Sequence, residues 1–460
     1  MRSKILIIGL DCADPVLVFE RFKGELPNME MLMSSGIYGR LESVIPPITC
    51  PAWMSMMTSR NPGSLGFYGF RNRKNYSYDE MFFANSTAVK ERTLWDILSE
   101  MGKKVIILGV PQTYPLRPVN GLMVTSFLTP SIKSQYTYPP ELKYEIEDVV
   151  GEYMLDVKEF RTDDKEYLLQ QIYKMTEKRF KLAKHFLRTR EWDFFMMVEM
   201  GVDRIHHGFW KFFDPRHVKY QAGTEYENSI LEYYKFIDAE IGEILQLVED
   251  DTLILVVSDH GAKRMDGGIC FNEWLIEEEY LSLKERAESP VRLTNDMIDW
   301  AKTRAWGSGG YYGRLFLNVK GREPEGTIPP ERYEDIRMEL KEKLENLKGF
   351  NGEKIGTVAH RPQDIYPECK GIPPDLIVIF GNLYWRSVGS VGMNTIHTLE
   401  NDTGPDDANH AQHGLYILYS GSLVGKNGTV DANILDIAPT LLHMVGLPIP
   451  QSMEGKVILI

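Results

Sequence analysis

Short runs of apolar residues recur along this chain, and they lack the alternation of polar and apolar residues that marks a half-exposed strand. Longer segments with helical periodicity separate the runs, notably residues 165–188, 225–248 and 434–445. Parallel strands that are covered by helices on both faces have this pattern. The sequence therefore predicts an α/β sandwich with a mostly parallel central sheet flanked by helices. The predicted strands are residues 5–10, 105–110, 194–199, 253–258, 376–380 and 415–419.

One long segment, residues 263–371, breaks this alternation. It is rich in glycine, proline and aromatic residues, and it contains an isolated amphipathic helical pattern at residues 331–347. Because it separates two predicted strands of the sheet, we expect an inserted cap subdomain here. Residues 1–262 and 372–460 would then form the α/β core.

Size and charge limit what the protein can bind. With 460 residues, of which 43% are hydrophobic, the chain can bury a large core. Its formal net charge of -13 argues against nucleic acid as a partner, because duplex binding needs a basic face. An anionic ligand would instead need local positive charge, such as that of bound metal ions.

The cysteines and the apolar runs also predict where the protein resides. The four cysteines, Cys12, Cys50, Cys270 and Cys369, are too widely separated to suggest a disulfide framework or a zinc knuckle. The run at residues 5–10 is too short for a signal peptide, and no run approaches the roughly 20 apolar residues of a membrane span. We therefore expect a cytoplasmic protein with no membrane partner.

Acidic residues stand where three of the predicted strands end. Asp11 closes the first strand, Asp259 and His260 close the strand at residues 253–258, and Asp203 follows the strand at residues 194–199. A single loop acid is usually a helix cap, but open α/β sheets bind ligands at the carboxyl ends of their strands. Three such acids together favour a ligand site.

Two local spacings suit metal coordination. Asp203 and His207 are four residues apart, so on a helix both side chains reach one side and can share a cation. His206 is three residues from Asp203 and is the alternative ligand at this position. Asp259 and His260 are neighbours, but the following Gly261 allows a turn that brings both side chains to one ion.

Thr49 is the candidate nucleophile. It precedes Pro51, and proline favours the first helical positions, so Thr49 should lie at a helix N-terminus. Its hydroxyl would then face free backbone amides and the positive end of the helix dipole, where a phosphate group binds well. The alternative is an ordinary threonine cap.

These segments resemble the alkaline phosphatase superfamily, in its type I phosphodiesterase and nucleotide pyrophosphatase branch. The motifs cover nearly the whole chain, from Asp11 to a closing Asp-Ile-Ala-Pro-Thr segment at residues 436–440. The motifs are Gly-Leu-Asp, Thr-Cys-Pro-Ala-Trp followed by Asn-Pro-Gly, Asp-Arg-Ile-His-His, Ser-Asp-His-Gly, and Asn-His-Ala-Gln-His-Gly. Leu65 departs from the family, since many relatives have histidine there, and this removes one expected substrate contact.

The resemblance implies an alkaline-phosphatase-like fold and an assignment of ligands. His410 is chosen over His413 because it stands four residues before a glycine, as the family pattern requires. Zinc is the first expectation for the two divalent metal ions, and manganese or iron would also suit these ligands. The resemblance assigns Asp203, His207 and His410 to one ion, Asp11, Asp259 and His260 to the other, and Thr49 as nucleophile and additional ligand.

The function expected from these observations is a metal-dependent hydrolase. It would cleave phosphodiester or pyrophosphate bonds of small nucleotide-like molecules through a phosphothreonine intermediate. Diesters are favoured over monoesters because the Thr49 segment carries no basic residue until Arg60, unless folding brings Arg204 or Arg314 close. Asn72 and Asn272 are further candidates for contacts with phosphoryl oxygens. The alternatives are a phosphomonoesterase, a phosphotransferase or mutase, and a non-enzymatic metal-stabilised binding protein.

Overall fold

A computed structural model describes residues 4–421 and 428–458, and a ten-stranded sheet lies at its centre. The strand Ile5–Leu10 pairs in parallel with Phe194–Glu199 on one side and with Leu253–Val257 on the other. The strand His413–Tyr419 runs antiparallel to its neighbours. In spatial order the strands are Gly428–Thr429, Ile37–Glu42, His413–Tyr419, Leu253–Val257, Ile5–Leu10, Phe194–Glu199, Val105–Leu108, Gly121–Val124 and Thr137–Tyr138, with Ala432–Asn433 also beside Ile37–Glu42.

This arrangement confirms the predicted α/β fold with a mostly parallel central sheet. Every residue of Ile5–Leu10 and of Phe194–Glu199 is buried, so both faces of these strands are covered. Because both faces of these strands are covered, their sequences are apolar throughout and do not alternate between polar and apolar residues. The helices of this part of the molecule are Pro27–Ser35, Thr49–Thr58, Pro62–Leu65, Leu94–Glu100, Leu142–Val150, Lys165–Thr189, Gly201–Phe213, Ser229–Leu245 and Ile437–Met444.

The longest predicted helix forms almost as expected. It begins at Lys165 and ends at Thr189, and the Asp164 side chain accepts a hydrogen bond from the Tyr167 backbone N–H at its start. The pattern at residues 225–248 gives the shorter helix Ser229–Leu245. Within the described ranges, no helix combines the length and the apolar character that crossing a membrane would require.

A second hydrophobic core lies outside the central sheet. Its buried members include Leu315, Leu340, Leu344 and Val378. A four-stranded sheet surrounds it, in the order Ala305–Ser308, Gly313–Leu317, Leu376–Ile379 and Val358–His360. The associated helices are Phe271–Glu277, Tyr333–Glu345 and Pro362–Ile365, and a three-stranded sheet contains Trp385–Val388, Gly267–Cys270 and His397–Thr398.

The prediction that residues 376–380 form a strand of the central sheet is wrong. Leu376–Ile379 pairs antiparallel with Gly313–Leu317 in the four-stranded sheet instead. A continuous apolar run shows that a strand is buried, but it does not show which core buries it. The cap boundaries at residues 263 and 371 stay a prediction, and we propose that the inserted unit extends beyond residue 371 through Trp385–Val388.

Replacing Leu340 tests whether the second core stabilises this unit. Leu340 is fully buried on the helix Tyr333–Glu345. We expect Leu340→Ala to lower the free energy of unfolding by about 2 to 5 kcal/mol, because it removes buried methyl groups and leaves a cavity. Met338, on the same helix, is 42% exposed, so Met338→Ala is the control and should change stability by about 0.5 kcal/mol or less. Urea denaturation measures both, and equal midpoints for the two variants would contradict the role of this core.

Candidate metal centre

The sheet topology brings the predicted acidic residues to one edge. Asp11 directly follows the strand Ile5–Leu10, and Asp259 follows Leu253–Val257 after one intervening serine. Asp203 lies in the first turn of the helix Gly201–Phe213, which begins just after Phe194–Glu199. Because these three strands are parallel neighbours, their carboxyl ends meet and the three carboxylates converge.

Asp11, Asp259 and His260 form the first group of candidate ligands, and their ligand atoms lie within 4.8 Å of one another. His260 Nε2 is 3.2 Å from Asp259 Oδ2 and 3.9 Å from Asp11 Oδ1. The indole N–H of Trp53 donates to Asp11 Oδ2 at 2.7 Å, and the Cys12 backbone N–H donates to Asp259 Oδ1 at 3.2 Å. The other oxygen of each carboxylate is buried with no hydrogen-bond partner among the described residues. A cation fits these unsatisfied oxygens.

Asp203, His207 and His410 form the second group. Asp203 Oδ1 is 3.2 Å from His207 Nε2 and 3.8 Å from His410 Nε2. His410 lies on the strand Ala408–Ala411, which pairs antiparallel with Gly261–Arg264 and therefore holds His410 beside the strand end that carries His260. The rings of His260 and His410 stack with centroids 3.8 Å apart, so the two groups are in direct contact.

The three imidazoles share one orientation. In each ring Nδ1 faces an oxygen atom outside the ligand groups, which favours the tautomer that leaves Nε2 as the metal-binding atom. For His207, Nε2 has no partner that meets hydrogen-bond criteria in the described structure. The oxygens that face Nδ1 are the Gly261 carbonyl for His260 at 3.1 Å, the Pro47 carbonyl for His410 at 2.8 Å and the Asp406 carboxylate for His207 at 2.6 Å.

The two alternative histidines lie elsewhere. His206 Nε2 is 3.2 Å from the Tyr234 hydroxyl, its ring packs on Trp210, and burial lowers its pKa to about 3. His413 is exposed at the start of the strand His413–Tyr419. The geometry thus favours His207 and His410 as ligands, and the assignment itself stays a prediction.

The three carboxylates are crowded and only partly neutralised. Burial raises the pKa of Asp11 and of Asp259 well above the usual value, and the charge of another carboxylate adds to the effect in each case. Burial also opposes ionisation of Asp203, but the charges of His207 and Arg204 outweigh it and hold the Asp203 pKa well below its usual range. A divalent cation would supply the positive charge that this site lacks.

Thr49 lies beside the first group. It is the first residue of the helix Thr49–Thr58, in agreement with the predicted helix N-terminus, and its hydroxyl oxygen is 3.5 Å from His260 Nε2. The first backbone N–H groups of a helix have no partner within the helix, and Pro51 has no N–H. The amides of Thr49 and Cys50 can therefore donate to an anion placed here.

Sequence reasoning missed several residues of the centre. Asp406 fixes His207 and also accepts hydrogen bonds from Arg161 Nε at 3.1 Å and Arg386 Nη1 at 2.5 Å. Tyr311 stacks on His410 with ring centroids 4.1 Å apart. The signal for Asp406 was its place in Gly-Pro-Asp-Asp, which ends one residue before the motif that contains His410.

Cys12 is a further residue that the sequence did not single out. Its φ of 69° is left-handed, so the chain turns sharply after Asp11. This turn places Cys12 Sγ within 4.8 Å of ligand atoms of both Asp203 and His207. A thiol therefore borders the second group, and the Gly261 carbonyl accepts its hydrogen bond at 3.4 Å.

Two predicted contacts with phosphoryl oxygens are not supported. The Asn72 amide donates to the Gly69 carbonyl at 2.8 Å and shapes a turn. The Asn272 amide donates to the carbonyls of Gly307 and Gly389 at 3.1 and 2.7 Å. Both side-chain amides therefore donate to backbone carbonyls of the protein, which leaves the predicted role in phosphoryl binding without support.

A family profile shows which protein family the chain belongs to. The type I phosphodiesterase / nucleotide pyrophosphatase profile matches residues 5–414. The chain belongs to this family. Type I phosphodiesterases and nucleotide pyrophosphatases are metal-dependent phosphoric ester hydrolases, so the protein is an enzyme of that class. No curated protein sequence matches the chain.

Solved structures of other proteins show the same fold. Human ectonucleotide pyrophosphatase / phosphodiesterase 5 matches with a TM-score of 0.57 and 11% identity, over 97% of this chain and 96% of that one. An inactive variant of the murine protein in complex with AMP matches with a TM-score of 0.55 and 11% identity, over 97% and 96% of the two chains. Phosphonoacetate hydrolase from Sinorhizobium meliloti, in complex with phosphonoformate, gives a TM-score of 0.61 and 14% identity, over 96% and 95%.

Metal content tests the ligand assignment. We expect the purified protein to carry about two divalent ions per chain, and Asp259→Asn to lose one of them because the amide is a weaker ligand than the carboxylate. Elemental analysis by mass spectrometry measures the ratio. Asp335→Asn is the control, since Asp335 lies exposed on the helix Tyr333–Glu345. Parent protein without bound metal, and with activity indifferent to a chelator, would contradict the assignment.

Proposed function

We propose that this protein cleaves phosphodiester or pyrophosphate bonds of small nucleotide-like molecules, with Thr49 as the nucleophile. The observation that carries the proposal is the position of the Thr49 hydroxyl, buried at a helix start and 3.5 Å from His260 Nε2. No packing role requires a hydroxyl beside a group of candidate metal ligands. A nucleophile does require this position.

The two cations would occupy the two groups of ligands. Asp203, His207 and His410 hold one, and Asp11, Asp259 and His260 hold the other, with zinc as the first choice. Asp11 Oδ1, Asp259 Oδ2 and His207 Nε2 are buried without a hydrogen-bond partner in the described part of the chain, which supports this arrangement. Bound cations supply positive charge that favours the ionised hydroxyl and stabilises the attacking and leaving oxygens.

The reaction then proceeds in two displacements. Thr49 Oγ loses its proton to water and forms a bond to phosphorus, while the ester bond opposite breaks and the leaving oxygen departs with the electron pair and takes a proton from water. Water next attacks the phosphothreonine, the bond between Thr49 and phosphorus breaks, and the hydroxyl regains a proton as the phosphate product leaves. The backbone N–H groups of Thr49 and Cys50 donate to the non-bridging oxygens in both steps.

The structural neighbours support a small phosphorus-containing substrate. The murine neighbour binds AMP in a form inactivated by a threonine-to-alanine change, and the bacterial neighbour binds phosphonoformate. A threonine that is required for activity, and a small anionic ligand, both agree with the role we assign to Thr49.

The basic residues around the ligands favour a diester over a monoester. Arg204 pairs with Asp203 and also with Asp156 at 2.7 Å. Arg161 and Arg386 both pair with Asp406. These guanidinium groups are already paired with carboxylates. They would therefore stabilise the second negative charge of a monoester dianion only weakly.

Replacing Thr49 tests the nucleophile. We expect Thr49→Ala to lower kcat for a nitrophenyl diester by at least about a thousandfold, because alanine has no hydroxyl that could form the covalent intermediate. Thr49→Ser should retain part of the activity, since it keeps the hydroxyl. The metal content and the thermal unfolding midpoint should stay near the parent values.

A matched control comes from the same helix. Ser55 is fully buried on Thr49–Thr58, and its hydroxyl has no hydrogen-bond partner in the described structure. Ser55→Ala therefore removes a buried hydroxyl without touching the centre, and it should retain most of the activity. If Thr49→Ala cleaves the diester at the parent rate, Thr49 is not the nucleophile.

Substrate preference is tested with p-nitrophenyl phosphate and bis-p-nitrophenyl phosphate as a matched pair. We expect kcat/KM to be higher for the diester by at least about tenfold, equivalent to about 1.4 kcal/mol of transition-state stabilisation. The diester carries one fewer charge and gains apolar contacts for its second substituent. A clear monoester preference would show that another basic group completes the site.

A further inference from the structure

An aromatic side chain, Tyr311, covers the second group of candidate ligands. Its ring centroid lies 4.1 Å from that of His410 and 5.1 Å from that of His207. The ligands themselves are sealed from solvent, since Asp203, His207 and His410 are only 2%, 1% and 1% exposed. Tyr311 keeps part of its surface exposed. One ring therefore contacts both imidazoles of the second group and also meets solvent.

A single hydrogen bond holds the polar end of this ring. The Tyr311 hydroxyl accepts it from Arg161 Nη2 at 3.1 Å, and the hydroxyl has no other hydrogen bond within the described residues. Arg161 Nε also donates to Asp406 Oδ2 at 3.1 Å, and Asp406 Oδ1 faces His207 Nδ1 at 2.6 Å. The arginine that holds the ring therefore also helps to orient a candidate ligand.

The backbone that carries the ring is fixed. Gly310 and Ser387 exchange two backbone hydrogen bonds, at 2.8 and 3.0 Å. The Tyr311 carbonyl accepts a further hydrogen bond from Asn409 Nδ2 at 3.1 Å. Because these contacts anchor the main chain, the ring can leave the ligands only by rotation of the Tyr311 side chain about its own bonds.

The interactions that keep the ring in place are individually weak. They are the stacking on His410, the Arg161 hydrogen bond and a contact with the Arg386 guanidinium, which lies 4.9 Å from the ring centroid. Side chains with part of their surface exposed change rotamer rapidly. The strands and helices that carry the ligands are held by many more bonds. Rotation of Tyr311 is therefore the least costly way to open the second group to solvent.

We propose that Tyr311 is a movable cover of the second cation site and that its hydrogen bond with Arg161 holds the cover closed. This inference rests on the ligand assignment made in the proposed function. A cation held by the second group meets solvent and incoming ligands only when the ring turns away. No ring contact or hydrogen bond in the described structure joins Tyr311 to Asp11, Asp259 or His260, so the cover acts on one of the two cations.

The rate of zinc release to an excess of a chelating dye tests the cover without relying on catalysis. We expect Tyr311→Phe to accelerate the release of one zinc ion per chain by about tenfold, as for the loss of one hydrogen bond to a charged group. Tyr311→Ala should accelerate it at least as much, because it removes the ring as well. The release of the other ion should stay at the parent rate.

Two further variants assign the effect to the second site and to its hydrogen bond. Asp259→Asn is expected to keep only the second cation, so Tyr311→Phe should accelerate the single release phase of that variant. Arg161→Met removes the same hydrogen bond from the other side. Combined with Arg161→Met, Tyr311→Phe should therefore add little further acceleration.

Tyr312→Phe is the matched control. Tyr312 is the next residue of the same segment, and its hydroxyl donates to the Tyr68 carbonyl at 2.5 Å, away from Arg161. The variant therefore also loses one tyrosine hydroxyl and one hydrogen bond. It should release both zinc ions at the parent rate.

The outcomes separate the cover from the proposed function. Parent protein that binds no zinc or other divalent ion would overturn the ligand assignment, and the proposed function with it. Parent protein that binds two ions, with release from Tyr311→Phe and Tyr311→Ala at the parent rate, would overturn the cover alone. Equal acceleration by Tyr312→Phe, or of both ions together, would show general loosening of the segment and would also overturn the cover. Full acceleration by Tyr311→Phe in the Arg161→Met background would overturn the role of Arg161.

Discussion

The buried carboxylates of Asp11, Asp203 and Asp259 meet at one edge of the sheet, and the repulsion among them governs the rest of the centre. Parallel pairing of their three strands forces this convergence, because the strand ends coincide. Arg204 compensates only part of the charge, and one oxygen each of Asp11 and Asp259 has no hydrogen-bond partner among the described residues. Charges in so deeply buried a site interact strongly. Bound cations would therefore stabilise the folded state as well as the transition state of the reaction.

The surroundings of the carboxylates orient the other candidate ligands. The Asp406 carboxylate fixes the ring of His207, and Arg161 and Arg386 hold that carboxylate in place. Burial opposes ionisation of Asp406, but His207 and the two arginines outweigh it and keep its pKa well below the usual range. Arg161 also donates to the Tyr311 hydroxyl at 3.1 Å, so the segment that covers His410 is tied to the same network. The Tyr311 segment and the candidate ligands are thus parts of one connected structure.

Local patterns predicted what depends on neighbours in sequence. The spacing of Asp203 and His207 on a helix, and the start of a helix at Thr49, follow from residues within one turn. The contact of Asp406 with His207 joins residues 199 positions apart, and no periodicity reports such a pairing. The same limit explains the strand Leu376–Ile379, whose apolar sequence fits either core.

The stereochemistry at phosphorus tests the central claim most directly. A phosphorothioate diester of known configuration can be hydrolysed in isotopically labelled water, and the configuration of the product shows how many in-line displacements occurred. Each displacement inverts phosphorus, so attack by Thr49 followed by attack of water gives net retention. Retention is the result that this account predicts. Net inversion would mean that water attacks the substrate directly, and it would contradict the phosphothreonine intermediate.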